Sequence, residues 1–243
     1  MRVLKAKGNN NCDYIGISRI YYKNPDVFEN KKKIIYPDSD GKRMADNTKQ
    51  FNWIVKIKEN LEAMFADNKD VFIAGDLLWY PVEGNNKLRM APDAMVVFGR
   101  PKGYRGSYKM WEEDNVSPQV VFEILSPCNT RKEMERKLEF YEKYGVEEYY
   151  EYDPDKIKLK IWVRVKNKLT KIENTDVWIS PKLKIRFEIN NDDLSIFKPD
   201  GSSFLTTIEI DKELRNTQQD LELERQKAKK LAEKLKELGI EIE

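Results

Sequence analysis

Two acidic residues, each attached to an apolar run, are the first candidates for chemistry in this sequence. Asp93 follows Pro92 at the start of "APDAMVVFG", and Glu123 lies inside "PQVVFEILSP". An apolar run between prolines is typical of a strand that is covered on both faces. A carboxylate in such a strand is costly to desolvate unless another group pairs with it. Glu123 therefore needs a partner.

The two acids together indicate a divalent metal site. Neighbouring strands lie about 4.8 Å apart, so matching registers would bring Asp93 and Glu123 to one edge of a sheet. Oxygen ligands alone suit Mg²⁺ or Mn²⁺, completed by water and a substrate phosphate. Each acid also has an ordinary structural interpretation, with Asp93 as a turn or cap residue and Glu123 as the partner of a Lys or Arg.

The composition excludes several classes of site. The chain has no histidine, which excludes imidazole zinc sites, Ser-His-Asp triads and a histidine general base. Its two cysteines, Cys12 and Cys128, are too few and too isolated for a zinc cage or a disulfide framework. The N-terminus has no apolar core, and no apolar stretch approaches the roughly 18 residues of a membrane span. We expect a cytoplasmic protein without a membrane segment.

The net charge gives no general signal for nucleic acid. Lys and Arg number 44 against 42 Asp and Glu, which leaves a formal charge of +2. Attraction to phosphate would need local clusters, such as residues 31–33 or 156–171. Such clusters are also compatible with ordinary solvated faces.

Hydrophobic periodicity predicts a mixed α/β core. The segment "MADNTKQFNWIVKIKENLEAMF" offers Asp46, Asn47 or Thr48 as the cap of a first helix, with an apolar stripe beginning at Phe51. Three runs, "VFIAGDLLWYPV", "APDAMVVFG" and "QVVFEILSP", read as strands. A second helix follows, from Asn129 or Thr130 to Gly145, and then further strands to about Phe197. A hairpin combined with a strand–helix–strand crossover predicts a mixed central sheet flanked by helices.

The last segment has a different pattern. Leu214, Leu221, Ala228 and Leu235 repeat every seven residues, and Leu231 and Leu238 fall on the companion positions. This pattern indicates a coiled coil or a long amphipathic helix. We therefore divide the chain into a core at 1–205 and a helical tail at 206–243. The tail would form a homodimer or pack on its own domain.

The chain resembles a known nuclease superfamily. "APDAMVVFG" followed by "QVVFEILSP" is similar to the split signature of the PD-(D/E)XK nucleases, whose restriction-endonuclease-like core runs helix, three strands, helix, strand. "GDLLWY" and "KLEFYEKYGVEEYY" resemble the Uma family of bacterial endonuclease-like proteins. The resemblance covers roughly residues 36 to 165. The usual signature has a lysine two residues after the second acid, whereas this chain has Leu125 there.

The resemblance implies a set of site residues. Asp93 and Glu123 would hold the metal, with the Leu125 carbonyl as a further ligand, and Lys137 on the second helix would replace the missing lysine. Asp76 occupies a position that is acidic in the Uma pattern, so it is a candidate on the metal side or a structural pair. The other candidates are an acid on the first helix, Glu62 or Glu59, and Gln119 as a group that orients water or phosphate.

The long loop before the Glu123 strand offers contacts for nucleic acid. Arginine and lysine contact phosphate and aromatic rings stack on bases, so the candidates are Tyr104, Arg105, Tyr108, Lys109 and Trp111. Alternatively, the loop packs on the sheet.

Two functions of different classes follow from these features. The first is an Mg²⁺-dependent endonuclease that acts on DNA, and the second is a non-catalytic module that keeps the nuclease fold and assembles through its tail.

Overall fold

The computed structural model describes residues 34–41, 43–190 and 193–237. The α-helices are α1 (Thr48–Met64), α2 (Arg131–Lys143) and α3 (Thr207–Glu237). The strands are β1 (Val71–Ala74), β2 (Trp79–Tyr80), β3 (Ala94–Phe98), β4 (Tyr108–Lys109), β5 (Val120–Ile124), β6 (Glu148–Asp153), β7 (Lys158–Val165), β8 (Lys168–Ile172), β9 (Val177–Ile179), β10 (Arg186–Ile189) and β11 (Leu194–Phe197). A 3-10 turn spans Met110–Glu112. Cys12, the basic run 31–33 and Leu238 lie outside the described residues.

The central sheet is mixed, as the sequence predicts. Its six strands lie in the order β1-β3-β5-β6-β7-β8. β5 and β6 are parallel and are joined through α2, whereas β3 pairs with β5 and β6 pairs with β7 in antiparallel orientation. The prediction of an α/β fold with a mixed central sheet is therefore confirmed. The division of the chain at 1–205 and 206–243 stays a prediction.

The alternation of β5 explains how a carboxylate enters an apolar strand. Successive side chains of a strand point to opposite faces. Val120, Phe122 and Ile124 contribute to the core on the α1 side, whereas Val121 contributes to the core on the α2 side. Glu123 therefore points towards α2, and both faces of β5 are covered.

The helices α1 and α2 begin at capping residues that the sequence predicts. Asn47 caps α1, its side chain accepting a hydrogen bond from Gln50 N at 2.8 Å. The Gln50 amide in turn donates to the Ile124 carbonyl at 2.8 Å, which ties α1 to the end of β5. Thr130 caps α2, and Gly145, with a φ of 91°, follows its C-terminal end. Phe51 departs from the prediction, because 44% of its surface is exposed.

The run "VFIAGDLLWYPV" is not one strand, which corrects the sequence-based assignment. β1 ends at Ala74, and Asp76 adopts a φ of 48°. The left-handed region is uncommon outside glycine, although Asp and Asn adopt it more readily than other residues. β2 then leaves the central sheet and pairs with β4. Asp76 therefore lies in a turn and not within a strand.

A second buried carboxylate fastens the smaller sheet, formed by β9, β10 and β11, to the core. Glu148, on β6, accepts hydrogen bonds from Tyr150 at 2.7 Å, from the Ser180 hydroxyl, and from Lys182 N at 2.6 Å. Only 1% of Glu148 is exposed. Every one of these donors is neutral, so hydrogen bonds and not an ion pair offset the cost of desolvating the Glu148 carboxylate.

Glu148→Ala is expected to lower the free energy of unfolding by about 3 kcal/mol, because three donors, of which Tyr150 and Ser180 are buried, lose their acceptor. Glu147→Ala is the matched control, since that neighbouring carboxylate forms a surface pair with Lys182 at 2.8 Å and should matter by less than about 1 kcal/mol. Urea unfolding measures both. Equal losses in the two variants would contradict the role assigned to Glu148.

The helix α3 extends away from this core with none of its described residues buried. Its first turn lies beside α1, where Ile208 and Ile210 line a shallow groove with Phe51. Burial thus gives no support to a tail that packs along its own domain. The coiled coil stays a prediction.

Within the described residues, no helix is both long enough and apolar enough to cross a membrane.

Candidate active site

The register of two antiparallel strands brings Asp93 and Glu123 to the same place. Ala94 of β3 pairs with Phe122 of β5, so the next position in that register sets Asp93 opposite Glu123. One oxygen of Asp93, Oδ2, accepts a hydrogen bond from Ile124 N at 2.6 Å. Both acids are buried, with 8% of Asp93 and 2% of Glu123 exposed. The two carboxylates therefore lie together at one edge of the central sheet.

The helix α2 presents two donors to Glu123. Lys137 Nζ donates to Glu123 Oε2 at 2.6 Å, and the Tyr141 hydroxyl donates to Oε1. Residues four apart lie on one face of a helix, which is why both reach the same carboxylate. Only 14% of the Lys137 side chain is exposed. The alternative interpretation of Lys137, a pair on a solvated helix face, is therefore contradicted, and a lysine partner for Glu123 is present.

Burial is the main cause of the pKa shifts of the two acids at this edge of the sheet. Burial and the nearby Glu123 raise the pKa of Asp93 well above its ordinary value, against the opposing effect of Lys137. Burial also raises the pKa of Glu123, although Lys137 and Tyr141 oppose the shift. Burial opposes the charge of Lys137, but Glu123 and Asp93 outweigh it and raise the lysine pKa. Lys137 therefore favours the charged form of both acids, whereas burial opposes it.

A third acid, Asp76, is near enough to Asp93 to add to the rise of its pKa. Its backbone N donates to the Pro92 carbonyl at 3.0 Å, which holds the turn against the residue that precedes Asp93. Burial raises the pKa of Asp76, as does the nearby Asp40, whereas Lys137 lowers it.

A cleft of about 640 Å³ opens over the acids, and we call it the acid cleft. Its walls come from the segment before α1, from the turns after β1 and before β3, and from the first half of α2. The residues that line it are Asp40, Gly41, Arg43, Met44, Ala45, Asp46, Gln50, Asp76, Leu78, Arg89, Met90, Ala91, Asp93, Glu123, Cys128, Asn129, Glu133, Arg136 and Lys137.

The donor set fits a hard divalent cation that keeps part of its water shell. Mg²⁺ is usually bound by one or two carboxylates together with water and substrate phosphate. Asp93 and Glu123 supply two carboxylates, and no described residue donates a hydrogen bond to Asp93 Oδ1. Among the described residues, no three acids, cysteines or histidines are grouped so that they could hold a metal ion together. The acids present therefore suit Mg²⁺ or Mn²⁺ better than a metal that requires a full protein cage.

Several residues predicted for the site lie elsewhere. Gln119 precedes β5 at the end opposite Glu123, and its side chain accepts a hydrogen bond from Phe98 N at 2.7 Å. Glu62 accepts from Lys102 at 2.9 Å, and Glu59 pairs with Lys58 at 3.0 Å. The side chains of Gln119, Glu62 and Glu59 do not line the acid cleft. The Leu125 side chain packs in the core on the α2 side, and the role of its carbonyl stays a prediction.

The loop before β5 uses its cations internally. Arg105 donates to Glu113, and its guanidinium lies 4.0 Å from the centre of the Phe72 ring. Lys109 pairs with Glu112 at 3.2 Å. Tyr108 is fully buried and Trp111 packs on Tyr36, so among the predicted aromatic contacts only Tyr104, at 96%, is largely exposed. Arg105 and Tyr108 therefore agree with the alternative interpretation, in which the loop packs on the sheet.

The acid cleft contains cations that the sequence interpretation missed. Arg43 and Arg136 line it, are exposed, and form no ion pair with another described residue. Arg89 also lines it, although one of its nitrogens donates to the Asn86 carbonyl at 3.0 Å. The position of Arg136 beside Lys137 was the only available signal. Nothing in the local pattern connects Arg43 with α2.

Comparisons with known proteins identify the family of this chain. A family model, "Uma2: Putative restriction endonuclease", matches residues 25–194. A solved structure described as "a putative nuclease belonging to DUF820", from Anabaena variabilis ATCC 29413, is 14% identical, with coverage of 57% of this chain and 75% of that chain and a TM-score of 0.44. A search of curated proteins found no match. Because the family model matches more than half of the chain, this protein belongs to the Uma2 family.

Proposed function

We propose that this protein is a metal-dependent endonuclease that hydrolyses phosphodiester bonds in DNA, with Mg²⁺ or Mn²⁺ as its cofactor. The observation that carries the proposal is the convergence of Asp93, Glu123 and Lys137 in the acid cleft. Membership of a family described as a restriction endonuclease supports the nuclease class.

Asp93 and Glu123 are the residues that would hold the cation, with Asp76 beside them at the turn. A bound divalent cation would supply Lewis-acid chemistry, lowering the pKa of a water molecule and neutralising charge on the phosphate. The burial of both carboxylates supports this assignment, because a bound cation would offset the cost of desolvating their charged forms. The Leu125 carbonyl stays a prediction without support from the cleft lining.

Lys137 would act beside the reacting phosphate. Glu123 and Asp93 raise its pKa and favour the ammonium form, which can stabilise negative charge that develops during in-line attack. Tyr141 is a positioning residue, because its hydroxyl holds the second oxygen of Glu123.

Arg43 and Arg136 would grip the phosphates that flank the scissile bond. Arginine binds phosphate in a planar, bidentate manner, and these two guanidinium groups are not engaged by other described residues. They replace Arg105 and Lys109 in this proposal.

Arg136→Ala is expected to weaken DNA binding about tenfold, because one phosphate contact is lost. The slope of log K for DNA binding against log salt concentration should fall in magnitude by roughly one, because one counterion fewer is released. Arg131→Ala is the matched control on the same helix, since Arg131 is 93% exposed and pairs with Glu135 outside the acid cleft. Fluorescence anisotropy with labelled duplex at several salt concentrations measures both. An identical response of the two variants would remove Arg136 from the proposed interface.

Cleavage of supercoiled plasmid tests the proposed function. We expect nicking with Mg²⁺, none with a chelator, and none in Glu123→Gln, and a parallel assay with RNA tests the choice of DNA. Activity that survives both chelation and Glu123→Gln would contradict the assignment. Absence of both cleavage and Mn²⁺ binding in the wild type would favour the non-catalytic module.

A further inference from the structure

The helix α3 carries an apolar seam that its own domain leaves uncovered. The exposed fractions are 54% for Leu214, 51% for Leu221 and 60% for Leu231. Leu214 and Leu221 belong to a seven-residue repeat that Ala228 and Leu235 complete, and Leu231 falls on the companion positions. Leucines at this spacing on a long helix are typical of a surface that pairs with another helix.

The charges of α3 change sign near the middle of the helix. From Thr207 to Glu224 there are six acidic and two basic residues, and from Arg225 to Glu237 there are six basic and two acidic residues. Acids near the N-terminus and bases near the C-terminus favour a helix through its dipole, but that effect reaches only the first and last turns. The dipole therefore does not explain why the segregation continues to the centre of a 31-residue helix.

We propose that α3 pairs with α3 of a second copy of this chain in antiparallel orientation. Paired helices lie about 8–10 Å apart, close to the Debye length of about 8 Å at physiological salt. A parallel pair would set the acidic half against an acidic half and the basic half against a basic half. An antiparallel pair sets the acidic half of each helix against the basic half of the other. The charges of the two helices are therefore complementary in this orientation.

One residue on the seam favours the same orientation. Glu224 occupies a core position of the repeat, and in a parallel pair it would face Glu224 of the second copy. If Leu221 instead faces Leu231 in an antiparallel pair, Glu224 lies opposite Ala228 of the second copy. Lys227, which pairs with Glu224 within its own chain at 2.8 Å, stays beside this layer. The antiparallel register thus removes the contact between the two Glu224 side chains from the core of the interface.

The orientation determines where the two domains lie. Each domain leads directly into the N-terminus of its α3, and a 31-residue helix is about 46 Å long. An antiparallel pair therefore holds the domains at opposite ends of the helices, whereas a parallel pair would hold them side by side.

Cysteine cross-linking tests the orientation in the full chain. In a Cys12→Ser, Cys128→Ser background, a chain with Leu221→Cys is mixed with a larger, tagged chain carrying Leu231→Cys and then oxidised. We expect a covalent dimer of one chain of each kind, and no covalent dimer of Leu221→Cys with itself. A Leu221→Cys dimer would overturn the antiparallel proposal. A monomer in analytical ultracentrifugation of the wild type would overturn the pairing altogether.

Charge reversal gives a second test, with a rescue. In the antiparallel register Lys234 lies beside Asp220 of the second copy, and the contact occurs twice by symmetry. Lys234→Glu should weaken the dimer about fivefold at low salt, and Asp220→Lys combined with Lys234→Glu should restore it. Asp220 and Lys234 do not meet in a parallel pair. Failure of the double variant to restore affinity would contradict the register.

Discussion

Lys137→Met is expected to lower the rate of DNA cleavage by at least about 100-fold, because a preorganised charge beside the reacting phosphate typically contributes that much. Methionine keeps most of the length and volume of lysine and removes only the ammonium that contacts Glu123 at 2.6 Å. Single-turnover cleavage of a labelled duplex measures the chemical step. The loss should appear in this rate and not in DNA affinity.

Lys132→Met is the control for this variant, because Lys132 is an exposed residue of the same helix outside the acid cleft. Circular dichroism and a melting curve show whether each variant is folded at the assay temperature. A folded Lys137→Met protein that cleaves at the wild-type rate would remove Lys137 from the catalytic machinery.

Asp93→Asn is expected to abolish cleavage and metal binding while it increases stability in the metal-free protein by about 1 kcal/mol. The raised pKa of Asp93 means that folding disfavours its ionised form, so at neutral pH the charged carboxylate destabilises the folded state. Asparagine is uncharged, and its carbonyl can still accept the hydrogen bond from Ile124 N. Functional sites often carry such a cost in stability.

Asp153→Asn is a control for which we expect the opposite change in stability. Burial opposes the charge of Asp153, but hydrogen bonds from Lys156 outweigh it and lower its pKa. The ionised form is therefore stabilised by folding, and its removal should lower the free energy of unfolding at neutral pH. Urea unfolding with a chelator present measures both variants. A loss of stability in Asp93→Asn as large as that in Asp153→Asn would contradict the account of Asp93.

The sequence predicts the parts of the fold that have a clear hydrophobic periodicity or a recognisable capping residue. The apolar stripe and the capping residue of α1, the alternation around β5, and the Thr130 and Gly145 boundaries of α2 all follow from local rules. The turn at Asp76 does not, because the run around it stays apolar on both sides. Its φ of 48° depends on a hydrogen bond to Pro92, which is distant in sequence.

The site is predictable to different degrees for different residues. The opposition of Asp93 and Glu123 follows from two adjacent strands, whereas the choice of Lys137 depends on a family resemblance. The sequence predicts that Arg105 contacts nucleic acid, but in the structure Arg105 donates a hydrogen bond to Glu113 of the same loop. Arg43 could not be identified, because only the tertiary structure brings the segment before α1 to α2.

Anomalous diffraction from crystals soaked in Mn²⁺ is the strictest test of the proposed metal site, because it locates the cation independently of any activity. We expect one strong peak between the carboxylates of Asp93 and Glu123, with the Lys137 ammonium beside it, and no such peak in Asp93→Asn crystals. A well-ordered acid cleft without a peak, or a peak bound only by residues elsewhere in the chain, would contradict it.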